Sequence, residues 1–248
     1  MRIKEGLRVG TATAVALVLT ACGGGSSNGD LSGGGGGGSS QGFNLQAGIT
    51  NMVTHGLSAN VTLSGSVVVS GTSTSVTGSG TYTLSAGVGG GTFNGTTATT
   101  AQTQTLAGTV TAAGQSLAIN QSVTDYYATS NSNFLGETST SEYDVAQAPF
   151  QYPTSVSGGE SGTLGTVLRY SDSTMSTSLG TAQTTYTTTS PTTQTGPLGI
   201  TITTKSYDTT NTLVETDVTN YSMTTSNVIS FVSATAQQTG DTITATAQ

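Results

Sequence analysis

Apolar and polar residues alternate with a period of two along most of the chain after Phe43. Val61 and Leu63 are two residues apart in one such stretch, for example, and Leu117 and Ile119 are two residues apart in another. Successive side chains of a β-strand point to opposite faces, so this alternation predicts strands with one buried face. Such stretches recur to the end of the chain and indicate about ten or eleven strands. No helical pattern of useful length is visible.

The links between the predicted strands are short turn sequences, such as Ala113-Gly114-Gln115 and Thr239-Gly240-Asp241. Parallel pairing needs long crossover connections, which are not visible, so we expect antiparallel strands. Leu, Ile, Val and Phe are only 40 of the 226 residues after Cys22, which predicts a thin core and one wetted sheet face. We therefore expect a single all-β domain over residues 43–248. Its predicted architecture is an antiparallel meander of hairpins in a curved open sheet or half-barrel.

The first residues have the composition of a targeting signal. Arg2, Lys4 and Arg8 give a positive start, and an uncharged apolar stretch follows over residues 9–21. This stretch is shorter than the roughly 20 residues that cross a bilayer. It is typical of the apolar region of a signal peptide. It ends in Leu19-Thr20-Ala21-Cys22.

These four residues resemble the lipobox of bacterial lipoproteins, in which a Leu, a polar or small residue and a small residue precede a cysteine. The resemblance implies a signal peptide over residues 1–21, cleavage before Cys22, a lipid on the sulfur of Cys22 and an acylated new N-terminus. It also implies an outer-membrane location. In the lipoproteins of Gram-negative bacteria, an Asp directly after the lipidated cysteine resembles a signal for retention in the inner membrane, and this chain has Gly23 at that position. The alternative interpretation is an ordinary signal peptide followed by a buried free cysteine.

Residues 23–42 consist almost entirely of Gly and Ser with a few polar residues, so nothing there can form a packed element. We expect residues 22–42 to form a lipidated cysteine and a flexible tether with a reach of roughly 25 Å. The membrane, through this lipid anchor, is then the first expected partner. Whether the anchored body faces the periplasm or the cell surface stays open. More loosely, the body resembles Thr/Ser/Gly-rich lipoproteins of Gram-negative bacteria, which implies no particular activity.

Composition excludes several functions. Only 7% of the 248 residues are charged, and the formal net charge is -7. Nucleic-acid binding needs a basic face, so we expect no nucleic-acid partner. A single cysteine excludes disulfides within the chain and multi-cysteine metal sites. With 53 Thr and 32 Ser, the solubility of the body has to depend on hydroxyls instead of charges.

Catalytic chemistry is disfavoured by the same inventory. His55, the only histidine, lies in a polar stretch near the tether, where an exposed loop residue is the expected interpretation. The closest approach to a nucleophile motif is Gly159-Glu160-Ser161-Gly162-Thr163, which lacks the final glycine. We therefore expect no catalytic residues and no enzyme activity.

Carboxylates occur in two groups. Glu137, Glu142 and Asp144 surround Tyr143, while Glu215 and Asp217 are two apart and share one strand face. A weak divalent-cation site is one interpretation, but the Gly-containing turn of Ca²⁺ loops is missing. We therefore expect a solvated strand face, no metal and no cofactor.

Asp172 and Asp208 open predicted turns, where an Asp side chain caps its own backbone.

Two kinds of function remain. The first is a non-catalytic binding or carrier module for an apolar ligand or an envelope protein, by analogy of topology with the open half-barrels of envelope lipoprotein carriers. A cavity for such a ligand would be lined by Leu117, Ile119, Tyr127 and Leu168. The second is a structural or surface-exposed adhesive protein, because the predicted strands carry few of the Lys residues that block pairing of exposed sheet edges.

Overall fold

The computed structural model describes residues 42–69, 71–193 and 195–248. The predicted signal peptide, the lipobox with Cys22 and nearly all of the predicted tether lie outside the described residues. The described residues form one helix and thirteen strands. The elements are α1 Leu45–His55, β1 Leu57–Val69, β2 Thr72–Leu84, β3 Val88–Phe93, β4 Thr96–Ala112, β5 Gln115–Ala128, β6 Phe134–Thr138, β7 Tyr143–Ala146, β8 Ser161–Tyr170, β9 Ser178–Thr189, β10 Leu198–Tyr207, β11 Leu213–Met223, β12 Ile229–Gln238 and β13 Asp241–Ala247.

The strands form a closed antiparallel barrel. Neighbours in sequence pair from β4 through to β13, β13 returns to pair with β1, and β2 pairs with both β1 and β4. The ring contains twelve strands, and β3 is an extra strand beside β4. The all-β prediction is confirmed, but the open sheet or half-barrel of ten or eleven strands is wrong. Alternation within a strand predicts that one face of the strand is buried. It does not predict whether the first and last strands pair.

Glycines mark the place where β2 and β4 close the ring. A Cβ atom built on Gly108 would lie 2.3 Å from the Ser79 carbonyl oxygen. On Gly80 it would lie 2.4 Å from the Ala107 carbonyl oxygen, and on Gly78 2.2 Å from the oxygen of Thr109. Glycine in a strand interior commonly marks such a close backbone approach. Because these residues have no Cβ atom, the backbones of β2 and β4 can approach closely where these two strands close the ring.

Helix α1 covers one end of the barrel and was not predicted. Asn44 caps it by accepting a hydrogen bond from the Ala47 amide at 2.9 Å, and Gly56 ends it with φ of 72°. Its buried face carries Leu45, Gly48, Ile49, Met52 and Val53 at helical spacing. The cap residue, the periodic apolar face and the terminal glycine together were a signal that could have found it. No helix in the described ranges is long and apolar enough to cross a membrane.

The helix packs against the strands at this end of the barrel. A Cβ atom on Gly48 would approach the sulfur of Met223, the last residue of β11, to 2.6 Å. The amide nitrogen Nε2 of Gln102 donates to the Met52 carbonyl at 3.0 Å and to the Ser85 carbonyl at 2.8 Å. The fold therefore has a helix end and, opposite to it, a hairpin end. The hairpin end carries the turns between β1 and β2, β4 and β5, β6 and β7, β8 and β9, β10 and β11, and β12 and β13.

Strand β3 lies outside the ring, and its run Gly89-Gly90-Gly91 does not show the alternation that predicts a strand. It pairs with the first part of β4, with two irregularities in register around Gly91. Its last residue, Phe93, stacks on Tyr126 at a centroid distance of 4.4 Å and packs with Leu135 and Val145 in a small cluster on the outer face. One aromatic anchor therefore fixes a segment whose glycines alone indicated irregular structure.

Candidate functional site

The interior of the barrel changes character from one end to the other. On β11, Met223 and Tyr221 at the helix end give way to Thr219, Asp217 and Glu215 at the hairpin end. All five side chains belong to buried residues of one parity. The prediction that Glu215 and Asp217 share a strand face is therefore confirmed. The expected solvated face is wrong, because each of the two residues is only 5% exposed.

The first group of carboxylates lies in the same interior. Glu137 on β6 is the register partner of Asp144 on β7, which is in turn the partner of Arg169 on β8. The guanidinium Nη2 of Arg169 donates to Glu142 Oε1 at 2.8 Å and to Oε2 at 2.9 Å. Its Nε lies 3.9 Å from Asp144 Oδ2.

These residues belong to one electrostatic unit, which we call the acidic cluster. Arg169 is the cation of this unit, and it acts on carboxylates of both groups. The members of the cluster are Asp125, Glu137, Glu142, Asp144, Arg169, Glu215 and Asp217.

Burial raises the pKa values of most carboxyl groups in the acidic cluster. Desolvation, followed by repulsion from Glu142, raises the pKa of Asp144 to about 8. Desolvation raises the pKa of Asp125 to about 7, and the neighbouring Tyr127 side chain opposes the rise. The pKa of Glu215 is also raised to about 7 by desolvation, although Gln238 donates to it at 3.1 Å. The cluster therefore holds protons near neutral pH.

Two further members of the acidic cluster have raised pKa values. Desolvation and then the neighbouring Asp144 raise the pKa of Glu137 well above its usual value. Desolvation and then Glu215 do the same for Asp217. Each also has a buried carboxyl oxygen without a hydrogen-bond partner, Oε2 and Oδ1 respectively. Burial and the neighbouring carboxylates therefore favour the neutral form of both carboxyls.

The acidic cluster does not have the geometry of a metal centre. Within the described ranges, no three His, Cys, Asp or Glu side chains converge in a way that could hold a metal ion. His55 is exposed, as expected, but it is the last residue of α1 and lies at the helix end. Its Nδ1 lies 3.0 Å from the Asn51 carbonyl oxygen. It is therefore at the opposite end of the barrel from the acidic cluster.

The two Asp-capped turns are confirmed. Asp172 Oδ1 accepts from the Thr174 amide at 2.8 Å, and Asp208 Oδ1 accepts from the amides of Thr210 and Thr212 at 2.8 and 2.9 Å. These bonds lower the pKa values of both exposed carboxyls. The turns thus belong to the hairpin end and act locally.

The four residues expected to line a cavity do not line one surface. Leu117, Ile119 and Tyr127 share the inward parity of β5, but Leu117 is 42% exposed and lies ten positions from the fully buried Tyr127. Ten residues of strand span about 33 Å. Leu168 pairs with Val145 of the outer cluster and has the opposite parity to the inward Arg169.

Aromatic side chains occupy the barrel between the helix and the acidic cluster. Tyr82 and Phe231 are 4.5 Å apart between ring centroids. Across the interior, Phe134 lies 5.8 Å from Tyr127 and 5.4 Å from Phe150. These rings belong to one hydrophobic cluster of buried residues, so the middle of the barrel contains a hydrophobic core.

The longest stretch of described strand that is paired on one side only lies in β5. This strand pairs with β4 along its whole length, but with β6 only from Thr124 to Tyr127. Among the described residues, no strand pairs with the preceding nine residues, Gln115–Val123, on that side, and we call them the β5 edge. At about 3.3 Å per residue the edge is roughly 30 Å long. Every residue of it except Val123 is exposed or half-buried.

The β5 edge lacks the features with which proteins usually protect an edge strand. It contains no charged residue and no Pro, and no register irregularity interrupts its pairing with β4. The whole stretch of residues 56–124 contains no Lys, Arg, Asp or Glu. The outer edge of β3 differs, because β3 has only six residues and two register irregularities.

Comparisons of the chain with protein-family models, with curated proteins and with solved structures find no match.

Proposed function

We propose that this protein is a lipid-anchored envelope protein without catalytic activity, whose folded body binds a partner by accepting an extended strand at the β5 edge. The observation that carries the proposal is the open, uncharged backbone of Gln115–Val123. In strand addition, backbone hydrogen bonds supply affinity and the alternating side chains supply specificity. The role corresponds to the interaction protein that the sequence left as an alternative to a carrier.

The packed interior supports this choice. A carrier needs a cavity for its ligand, and ligand pockets usually have volumes of several hundred Å³. The contacts among Tyr82, Phe231, Tyr127 and Phe134 occupy the part of the barrel where an apolar ligand would lie. In the wall of the barrel, in contrast, the β5 edge has backbone N–H and C=O groups that do not pair with a neighbouring described strand.

The lipobox resemblance supports the anchor. Lipidation at Cys22 would hold the body near the membrane through the Gly/Ser tether, and two or more acyl chains make such anchoring stable. In the proposal, the outer membrane is the site of anchoring. Replacement of Cys22 by Ser then moves the protein out of the membrane fraction, because the lipidated sulfur is lost.

Strand addition can be tested with synthetic peptides. The probe is a panel of fluorescein-labelled ten-residue peptides in which apolar and polar residues alternate, titrated with the full chain and followed by fluorescence anisotropy. The test variant is Ala118→Lys, which places a charge on the exposed edge. Its matched control is Thr109→Lys, because Thr109 is the register partner of Ala118 on β4 and is also exposed.

We expect at least one peptide to bind, with affinity reduced tenfold or more by Ala118→Lys and unchanged by Thr109→Lys. The added Lys opposes pairing only at the edge, since a residue on β4 has neighbours on both sides. Peptide binding that Ala118→Lys and Thr109→Lys change alike would refute strand addition at β5.

A further inference from the structure

We infer that the partner strand at the β5 edge is the β5 edge of a second copy of this chain, so that two barrels join in an antiparallel pair. This inference rests on the proposed function and names its partner. A strand that pairs with its own copy about a two-fold axis forms an isologous contact, the commonest kind in homo-oligomers.

The first argument comes from the pairing that the sequence permits. With the two-fold axis at Ala118, Gln115 faces Gln121, Ser116 faces Asn120 and Leu117 faces Ile119 of the other copy. Apolar residues then meet apolar residues twice, amides meet amides twice, and all of these side chains are exposed or half-buried in a single copy. Directly opposed residues in antiparallel strands interact most strongly, so this register is favoured.

The second argument comes from the ends of the edge. In the same register the turn residue Gly114 of one copy faces Ser122 of the other, just before Thr124, where β6 begins to pair. Seven residues of each copy, Gln115 to Gln121, can therefore pair without displacing β6. The β5 edge is therefore long enough for the seven residues of the second strand.

The third argument is electrostatic. The formal net charge of -7 would make most contacts between two copies repulsive. The body's charges all lie in residues 125–248, and the stretch 56–124 that contains the edge has none. The residues of the two edges that would pair therefore carry no charges that repel each other.

Leu117 adds an apolar contribution to the same contact. It is 42% exposed although it has the inward parity of β5, and Ile119 beside it is half-buried. Pairing would bring Leu117 of each copy against Ile119 of the other and remove both from water. This burial adds to the hydrogen bonds that the two edges form.

Association can be measured between two differently tagged full-length copies in one cell. After solubilisation, purification through one tag reports the fraction of the other that is bound. We expect Ala118→Lys in both copies to lower this fraction tenfold or more, because two like charges then face each other on the axis. Thr109→Lys, which adds the same charge one strand away, should leave it unchanged.

A charge pair supplies the decisive control. One copy with Ala118→Lys and one with Ala118→Glu should associate again, because the opposed charges now attract. Loss without this recovery would overturn the inference, since a damaged fold would not regain binding. So would equal association of the Lys–Lys pair and the wild type.

The register can be tested by disulfide cross-linking in cells. In the pair, the Cα atoms of the two Ala118 residues lie about 4.5–5.5 Å apart, within reach of a disulfide. The two Thr109 residues are three strand spacings apart, about 14 Å, and cannot be bridged. Mild oxidation should therefore link Ala118→Cys copies into dimers, but not Thr109→Cys copies or the wild type with Cys22 alone.

The two proposals can fail separately. If labelled peptides bind at the edge in a manner sensitive to Ala118→Lys, while tagged copies neither associate nor cross-link, strand addition stands and the second copy is wrong. If neither peptides nor a second copy bind, both proposals are refuted.

Discussion

Replacement of Asp125 by Asn should stabilise the barrel, and by an amount that depends on pH. Asp125 is 1% exposed, and burial raises the pKa of its carboxyl to about 7, against about 3.9 in an unfolded chain. The folded state therefore holds a proton that the unfolded state releases between these values. The stability that the protonated carboxyl permits is complete below about pH 4 and is lost as the pH rises through 7. Asn is uncharged at every pH and has nearly the same shape.

The size of the effect follows from the shift in pKa. Each unit corresponds to about 1.36 kcal/mol, so a rise from about 3.9 to about 7 costs the ionised wild type about 4 kcal/mol above pH 8. For a domain of this length, 1 kcal/mol moves the melting temperature by about 2–4 °C. Asp125→Asn should therefore melt roughly 8–16 °C higher than the wild type at pH 8.5, and at nearly the same temperature at pH 4.

Thermal unfolding followed by circular dichroism at both pH values measures this difference. Asp172→Asn is the matched control, because Asp172 is exposed and hydrogen bonds from Thr174 lower the pKa of its carboxyl. That variant should gain no stability at either pH. The reasoning fails if Asp125→Asn shifts the melting temperature equally at pH 4 and pH 8.5, or destabilises the protein at the higher value.

Two other substitutions test the acidic cluster and the closure of the ring. Arg169→Gln leaves Glu142 without its cation, so the free energy of unfolding should fall by about 3–5 kcal/mol in urea titrations; an unchanged free energy of unfolding would contradict this. Gly108→Ala places a Cβ atom 2.3 Å from the Ser79 carbonyl oxygen and should cost about 1–3 kcal/mol in the same assay. A Cβ atom added at Gly89 would have its nearest neighbour 4.0 Å away, so Gly89→Ala should change the free energy of unfolding by less than about 0.5 kcal/mol. Similar losses of stability for both glycine variants would show that the close backbone approach does not govern closure of the ring.

Local pattern was enough to predict much of the strand content, because alternation needs only one buried face. It placed Val61 and Leu63 in β1 and Glu215 and Asp217 on one face of β11, and the structure agrees. It missed β3, where glycines hide a strand that Phe93 fixes by long-range packing. Helix α1 was missed although its capping residue and its terminal glycine are both visible in the sequence.

Closure and burial were harder to predict because they depend on residues far apart in the chain. A strand with acidic residues at alternate positions is normally wet on that face, so Glu215 and Asp217 indicated solvent. Their burial results from the closing of the sheet around them. The β5 edge was equally hidden, because it exists only where β6 is much shorter than its neighbour β5.

The pairing of β1 with β13 also determines when this protein can finish folding. Val61 pairs with Ala247, so the contact that closes the ring joins nearly the first described strand residue to nearly the last. Contacts of such sequence separation form slowly, because the entropy of a long loop is lost before they are made. A chain made from its N-terminus must hold β1 unpaired on one side until residues 241–247 have been made. Removal of the seven residues of β13 would leave that edge permanently open, and the edge of β12 with it.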